Sequence, residues 1–77
     1  MERQKVYEQI DKERDHQDRK HNPTEEIPAE MVLMKVYLDK AQFNWAYKES
    51  PLTQIRKVVA LGIRCLETHG CPERERE

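Results

Sequence analysis

Apolar residues in this chain recur at helical rather than strand spacing. Met31, Met34, Leu38, Ala41 and Trp45 step by alternating intervals of three and four, the spacing that lines one face of an α-helix. Val32, Val36, Phe43 and Tyr47 form a second strip on the same segment, widened by Leu33 and Tyr37. Lys35, Asp39 and Gln42 leave it a narrow polar stripe. Leu52, Ile55, Val59, Gly62 and Leu66 repeat the spacing further on and predict a third helix with this face as its core. Thr53, Lys57, Arg64 and Glu67 then face outward. Near the start, Val6, Tyr7 and Ile10 open a short apolar stripe, which Glu13, Arg14 and Gln17 continue as a polar one. The i,i+4 pairs Glu8–Lys12 and Asp15–Arg19 have the favourable acid-before-base order for a first helix.

Helix breakers divide the pattern. Asn22-Pro23 and Pro28 exclude a continuous helix through residues 21–28, and Pro28 suits the first turn of the helix that follows. Ser50-Pro51 supplies an N-cap and a first helical residue. Gly70 provides a left-handed cap, and Pro72 prevents continuation. These signals predict one all-α domain over 1–71, a small three-helix bundle with helices at about 2–20, 29–48 and 51–69. A charged tail follows over 72–77. The second helix is apolar on most sides, more than two short neighbours can cover. The bundle is therefore expected to be completed by homo-oligomerisation, with Met31, Val32, Val36, Phe43 and Tyr47 in the interface.

Composition sharpens this picture. Hydrophobic residues make up 36% of the 77 and charged residues 38%, so the core must be thin; a single core of this size rarely supplies more than roughly 3–5 kcal/mol. A formal charge of −1 excludes the basic excess of a typical nucleic-acid binder, so no sequence-specific nucleic-acid partner is expected. No apolar run approaches a membrane span or a signal peptide, which predicts a cytoplasmic protein with no membrane partner.

The conventional catalytic chemistries find little support. Cys65 and His69 lie one helical turn apart with Cys71 nearby, but paired Cys-x-x-Cys spacing is missing and a fourth zinc ligand would have to come from His16 or His21. Free thiols, with Cys65 as a small core residue, explain the cysteines more simply. No glycine-rich elbow or phosphate loop is present. Trp45, Tyr37 and Tyr47 can stack on a base, or simply pack in a core at helical spacing.

The stretch from Val6 to Lys20 resembles the first helix of short phage-encoded MazG-like proteins, which belong to the all-α nucleoside-triphosphate pyrophosphohydrolases. The family opening I-x-x-E-R-x-x-Q-x-x-K is matched by Ile10, Glu13, Arg14, Gln17 and Lys20. Leu52 to Glu67 looks like the family's later helix, and Glu30 to Trp45 like the one between. Active members carry an E-E-x-x-E set on the second helix and an E-x-x-D set on the third, which hold magnesium for the triphosphate. Here the first set falls on Met34, Lys35 and Leu38 and the second on Gln54 and Lys57, none of them acidic. Met34 and Leu38 turn the former metal pocket into plain core, and Lys35 and Lys57 repel Mg²⁺.

The resemblance with its departures implies a protein without catalytic residues, metal or cofactor. It points to a holder of a phosphate-bearing small molecule, a nucleotide or cyclic nucleotide whose sequestration counters a host defence signal in the infected cell's cytoplasm. Arg14, Gln17, Lys35, Trp45 and Lys57 are the candidate ligand-binding residues, since lysine and arginine can replace the metal's charge. Two alternatives stand beside it: a helical homo-oligomer that docks on a host or phage protein with no small ligand, and an enzyme with relocated carboxylates.

Overall fold

In a computed structural model that describes residues 1–20 and 26–75, the chain forms three helices: α1 (Arg3–Lys20), α2 (Ile27–Ala46) and α3 (Leu52–His69). No strand occurs among the described residues, as the helical spacing predicts. Much of the expected linker, residues 21–25, lies outside the described residues, as does the end of the tail, 76–77.

The helix ends follow local chemistry. α2 begins at Ile27, two residues before the sequence-based start, because Glu26 is extended while its carbonyl already accepts the Glu30 amide at 3.0 Å. Pro28 then sits within the first turn, where its missing N–H costs nothing. At the other end α2 stops at Ala46 in a Schellman motif. Glu49 N–H donates to the Asn44 carbonyl at 2.8 Å and Lys48 N–H to the Trp45 carbonyl at 3.1 Å, with Lys48 in the left-handed region at φ 60°. At the start of α3, Pro51 has helical dihedrals and is itself the N-cap, its carbonyl accepting the Ile55 amide at 3.0 Å, while the Ser50 hydroxyl accepts the Leu52 amide at 3.3 Å from one residue before it; the helix thus starts one residue later than Ser-Pro predicts. Gly70 closes α3, its N–H on the Leu66 carbonyl at 2.8 Å. Its φ of 113° with ψ 149° is the extended positive-φ region open to glycine, not the left-handed helical cap expected.

α3 is the central helix. It packs against both α1 and α2, which do not pack against each other among the described residues. Among the described residues the buried apolar ones are Ile10, Ala41, Ala60 and Leu61, accompanied by buried Glu13, Arg14, Gln17, Glu30 and Arg64. The polar continuation of the α1 stripe is thus turned inward, as its spacing predicts. Three expectations are corrected. Arg64, expected on the outside, is 1% exposed and forms an ion pair at 3.4 Å with fully buried Glu30. Leu52, Ile55, Val59 and Leu66, expected as the α3 core, are exposed, because α3 turns Lys57, Ala60, Leu61 and Arg64 inward instead. Of the α2 face assigned to the core, Ala41 is buried and Met34 half-buried, but Met31, Leu38 and Trp45 are exposed. Leu38, expected from the resemblance to be plain core, is therefore outer surface.

Cross-helix polar contacts tie α1 down. Arg14 forms a two-pronged contact with Glu67 of α3, through Nη2 to Oε2 and Nε to Oε1, and its Nη1 donates to Asp18 at 2.9 Å. Arg56 Nε donates to buried Glu13 Oε1 at 2.9 Å. Arg14–Asp18 and Lys35–Asp39 are the i,i+4 ion pairs formed among the described residues, in place of Glu8–Lys12 and Asp15–Arg19.

Candidate functional site

Because α1 and α2 each lie on α3 but not on each other, a cleft opens between them with α3 as its floor. Its volume is about 290 Å³. α1 contributes Glu13, His16, Gln17 and Lys20, α2 contributes Leu33 and Tyr37, and α3 contributes Lys57 and Leu61. The α1 residues fall here because positions 13, 16, 17 and 20 share one helical face, and Ile10, one turn earlier on that face, is anchored in the core.

The cleft is polar on one side and aromatic on the other. Gln17 is held by its Nε2, which donates to the Lys57 carbonyl at 3.3 Å. Its buried Oε1 has no hydrogen-bond partner among the described residues. The Lys57 ammonium lies 5.3 Å from the centre of the Tyr37 ring, and that of Lys40 lies 5.0 Å from it, both within cation–π range. Glu13 is the acid in the lining, and its charge is matched by Arg56. Lys20 and Lys57, both in the lining, have no ion-pair partner among the described residues, so the field of the cleft favours an anion.

The five sequence-predicted ligand residues separate. Gln17 and Lys57 line the cleft together. Arg14 is buried beside it, but both ends of its guanidinium are taken by Glu67 and Asp18. The Glu67 hydrogen bonds raise its pKa, burial works against them, and the Asp18 hydrogen bond adds to the rise, so it is a fixed structural cation. Lys35 points to solvent and pairs with Asp39 at 3.0 Å. Trp45 lies about 15 Å along α2 from Lys35, at 1.5 Å per residue. It is 74% exposed, near the turn into α3. Three more residues join the cleft: Tyr37, expected as a ring that could stack on a base, His16, weighed only as a zinc ligand, and Lys20, expected only as part of the first-helix motif. The signal for two of them was present: His16 is one residue from Gln17, and Lys20 one turn beyond.

Of the positions where the resemblance would put magnesium ligands, Met34 faces Gly62, Gln54 is half-buried, and Lys57 alone reaches the cleft. Among the described residues no three His, Cys, Asp or Glu side chains are grouped to hold a metal ion. Cys65 is half-buried and Cys71 exposed, both as free thiols. No described helix is long and apolar enough to cross a membrane. Compared with known protein families, curated proteins and solved structures, the chain matches none.

Proposed function

We propose that this chain is a non-catalytic holder of a small phosphate-bearing ligand, taken into the cleft between α1 and α2. The observation that carries the reading is the convergence of Lys57, Lys20 and Gln17 on one polar cleft with Tyr37 as its wall. Two cations provide charge for a phosphate without a metal, the Gln17 amide adds a neutral hydrogen-bonding group, and an aromatic ring offers a flat surface to a base. At about 290 Å³ the space lies at the lower end of ligand pockets, which suits a mononucleotide or cyclic mononucleotide. The MazG-like resemblance supports a nucleotide as the ligand class and a phage setting, in which holding a signalling nucleotide would blunt a host defence. The absence of acids at the resembling magnesium positions supports binding without hydrolysis.

Calorimetry with AMP, ADP, cyclic nucleotides and inorganic phosphate, each in EDTA and in Mg²⁺, tests this. The expected result is binding of at least one nucleotide that persists in EDTA. A charge-assisted hydrogen bond is worth roughly 1.5–3 kcal/mol, so Lys57→Ala should weaken that binding about tenfold or more. Flat titrations throughout, or parent-like binding by Lys57→Ala, would remove the site. Chelator-sensitive release of pyrophosphate from a nucleoside triphosphate would restore the enzymatic alternative.

One observation favours the protein-binding alternative. Val32, Val36, Phe43 and Tyr47 form an exposed strip on the outer side of α2, with the Phe43 and Tyr47 rings 4.5 Å apart. A protein partner seated there would need no small ligand.

A further inference from the structure

α2 and α3 expose a second apolar surface, separate from both the cleft and the outer strip of α2. Ile55 and Val59 stand two residues from Lys57 and Leu61, more than half a turn around α3, so this surface lies on the face opposite the cleft. Trp45 and Leu52 are its most exposed members, at 74% and 69%, and Leu38, Ile55 and Val59 are each more than two-fifths exposed. They are one continuous patch. A hollow of about 350 Å³ between α2 and α3 is lined by Leu38, Trp45 and Ile55. A second, of about 530 Å³, runs from Trp45 to Leu52 around the connecting turn. A third, of about 320 Å³, joins Leu52, Ile55 and Val59 to Val6 of α1.

We propose that this surface is the interface of a homodimer, in which α2 and α3 of a second copy close over it. The patch is self-complementary. Trp45 and Leu52 project from the same face that carries the hollows beside Leu38 and Val59, as a two-fold interface requires. Both contributing helices space their apolar residues by alternating threes and fours, the pattern that interlocks side chains between packed helices. With Met31 and Leu66 at its margins, the patch exposes on the order of 600–800 Å², near the ~800 Å² per partner of a stable complex. The occupant is a second copy rather than a different protein because the fold itself needs the cover. The apolar residues buried within the described chain are Ile10, Leu61 and two alanines. A fold with so little interior requires a partner that is present whenever the chain is made.

Trp45 is the sole tryptophan and reports on this surface without any substitution. Light scattering at tens of micromolar should give twice the chain mass. In that state Trp45 should emit to the blue and be several-fold less quenched by iodide than free tryptophan, and dilution should reverse both. Leu52→Glu should halve the mass, and its high exposure makes it dispensable to the single chain's own packing. Val36→Glu, on the outer strip, should leave the mass unchanged. A single-chain mass for the parent would overturn the proposal and leave the face to a different partner. A dimer with fully quenchable Trp45, or one broken by Val36→Glu but not by Leu52→Glu, would overturn it in favour of the outer strip. None of these readouts involves a ligand, so the dimer and the ligand cleft stand or fall separately.

Discussion

Lys48 and the Glu30–Arg64 pair show how single residues carry this fold. Lys48 adopts φ 60° so that two α2 carbonyls find donors in the turn. A side chain in that region costs roughly 1–2 kcal/mol, because Cβ crowds the following carbonyl. Glycine removes the clash but loses more freedom on folding, so Lys48→Gly should stabilise by about 0.5–1 kcal/mol in urea unfolding. A loss of stability would show that the Lys48 side chain contributes more than its strain costs. Glu30 and Arg64 are more consequential, being 0% and 1% exposed. Removing one partner from a buried ion pair strands the other charge in a low-dielectric interior and typically costs 3–5 kcal/mol. Glu30→Ala should therefore cost about that much, which approaches the whole stability of a domain this size. Combining Glu30→Leu with Arg64→Met should recover much of the loss, since neither charge is then left behind. Parent-like melting of Glu30→Ala would mean the pair contributes little.

At the scale of elements, helix existence and most helix ends were legible because they depend on local chemistry. Pro28, Ser50-Pro51 and Gly70 act within a turn of themselves, and each lies at a helix end. The facing of the helices was less legible. The Leu52, Ile55, Val59 and Leu66 stripe reads as core because a periodic apolar face requires cover, yet periodicity does not say whether the cover comes from the same chain. The inward stripe of α3 contains Lys57 and Arg64 and reads as surface, since charged residues are seldom buried unless paired. Their partners, the Tyr37 ring and Glu30, come from α2, a relation beyond any local window. The candidate site was half legible for the same reason: Gln17 and Lys57 meet in the cleft, but Lys35 and Trp45 turn away from it. Gly62 gives an element-scale test. A glycine on an apolar helix face can serve close backbone approach, but a Cβ there would meet Met34 Sδ at 3.8 Å, an ordinary contact. Gly62→Ala should thus gain the helix-propensity difference of about 1 kcal/mol. For a chain of this length that raises the melting midpoint by about 4–8 °C. A fall in the midpoint would show that another chain approaches α3 more closely than Met34 does.

On the scale of the whole molecule, interior and exterior are unusually placed. Ion pairs and a glutamine occupy much of the interior, while Trp45, Leu52, Phe43 and Tyr47 stand outside. Exposed polar contacts contribute little to stability, and the four apolar residues buried among the described residues, two of them alanine, remove little area from water. If a second copy supplies the missing burial, folding and association become one equilibrium and stability depends on protein concentration. Each tenfold dilution then removes about 1.4 kcal/mol from the dimer. Two unfolding chains of this length gain roughly 0.3 kcal/mol per kelvin of entropy, so the melting midpoint should fall by about 4 °C per decade of dilution. Calorimetric or circular-dichroism melts from 1 to 100 micromolar measure this directly. A midpoint constant across that range would mean that the single chain is stable on its own interior. The charged residues buried along α3 would then have to supply the stability that the exposed apolar faces do not.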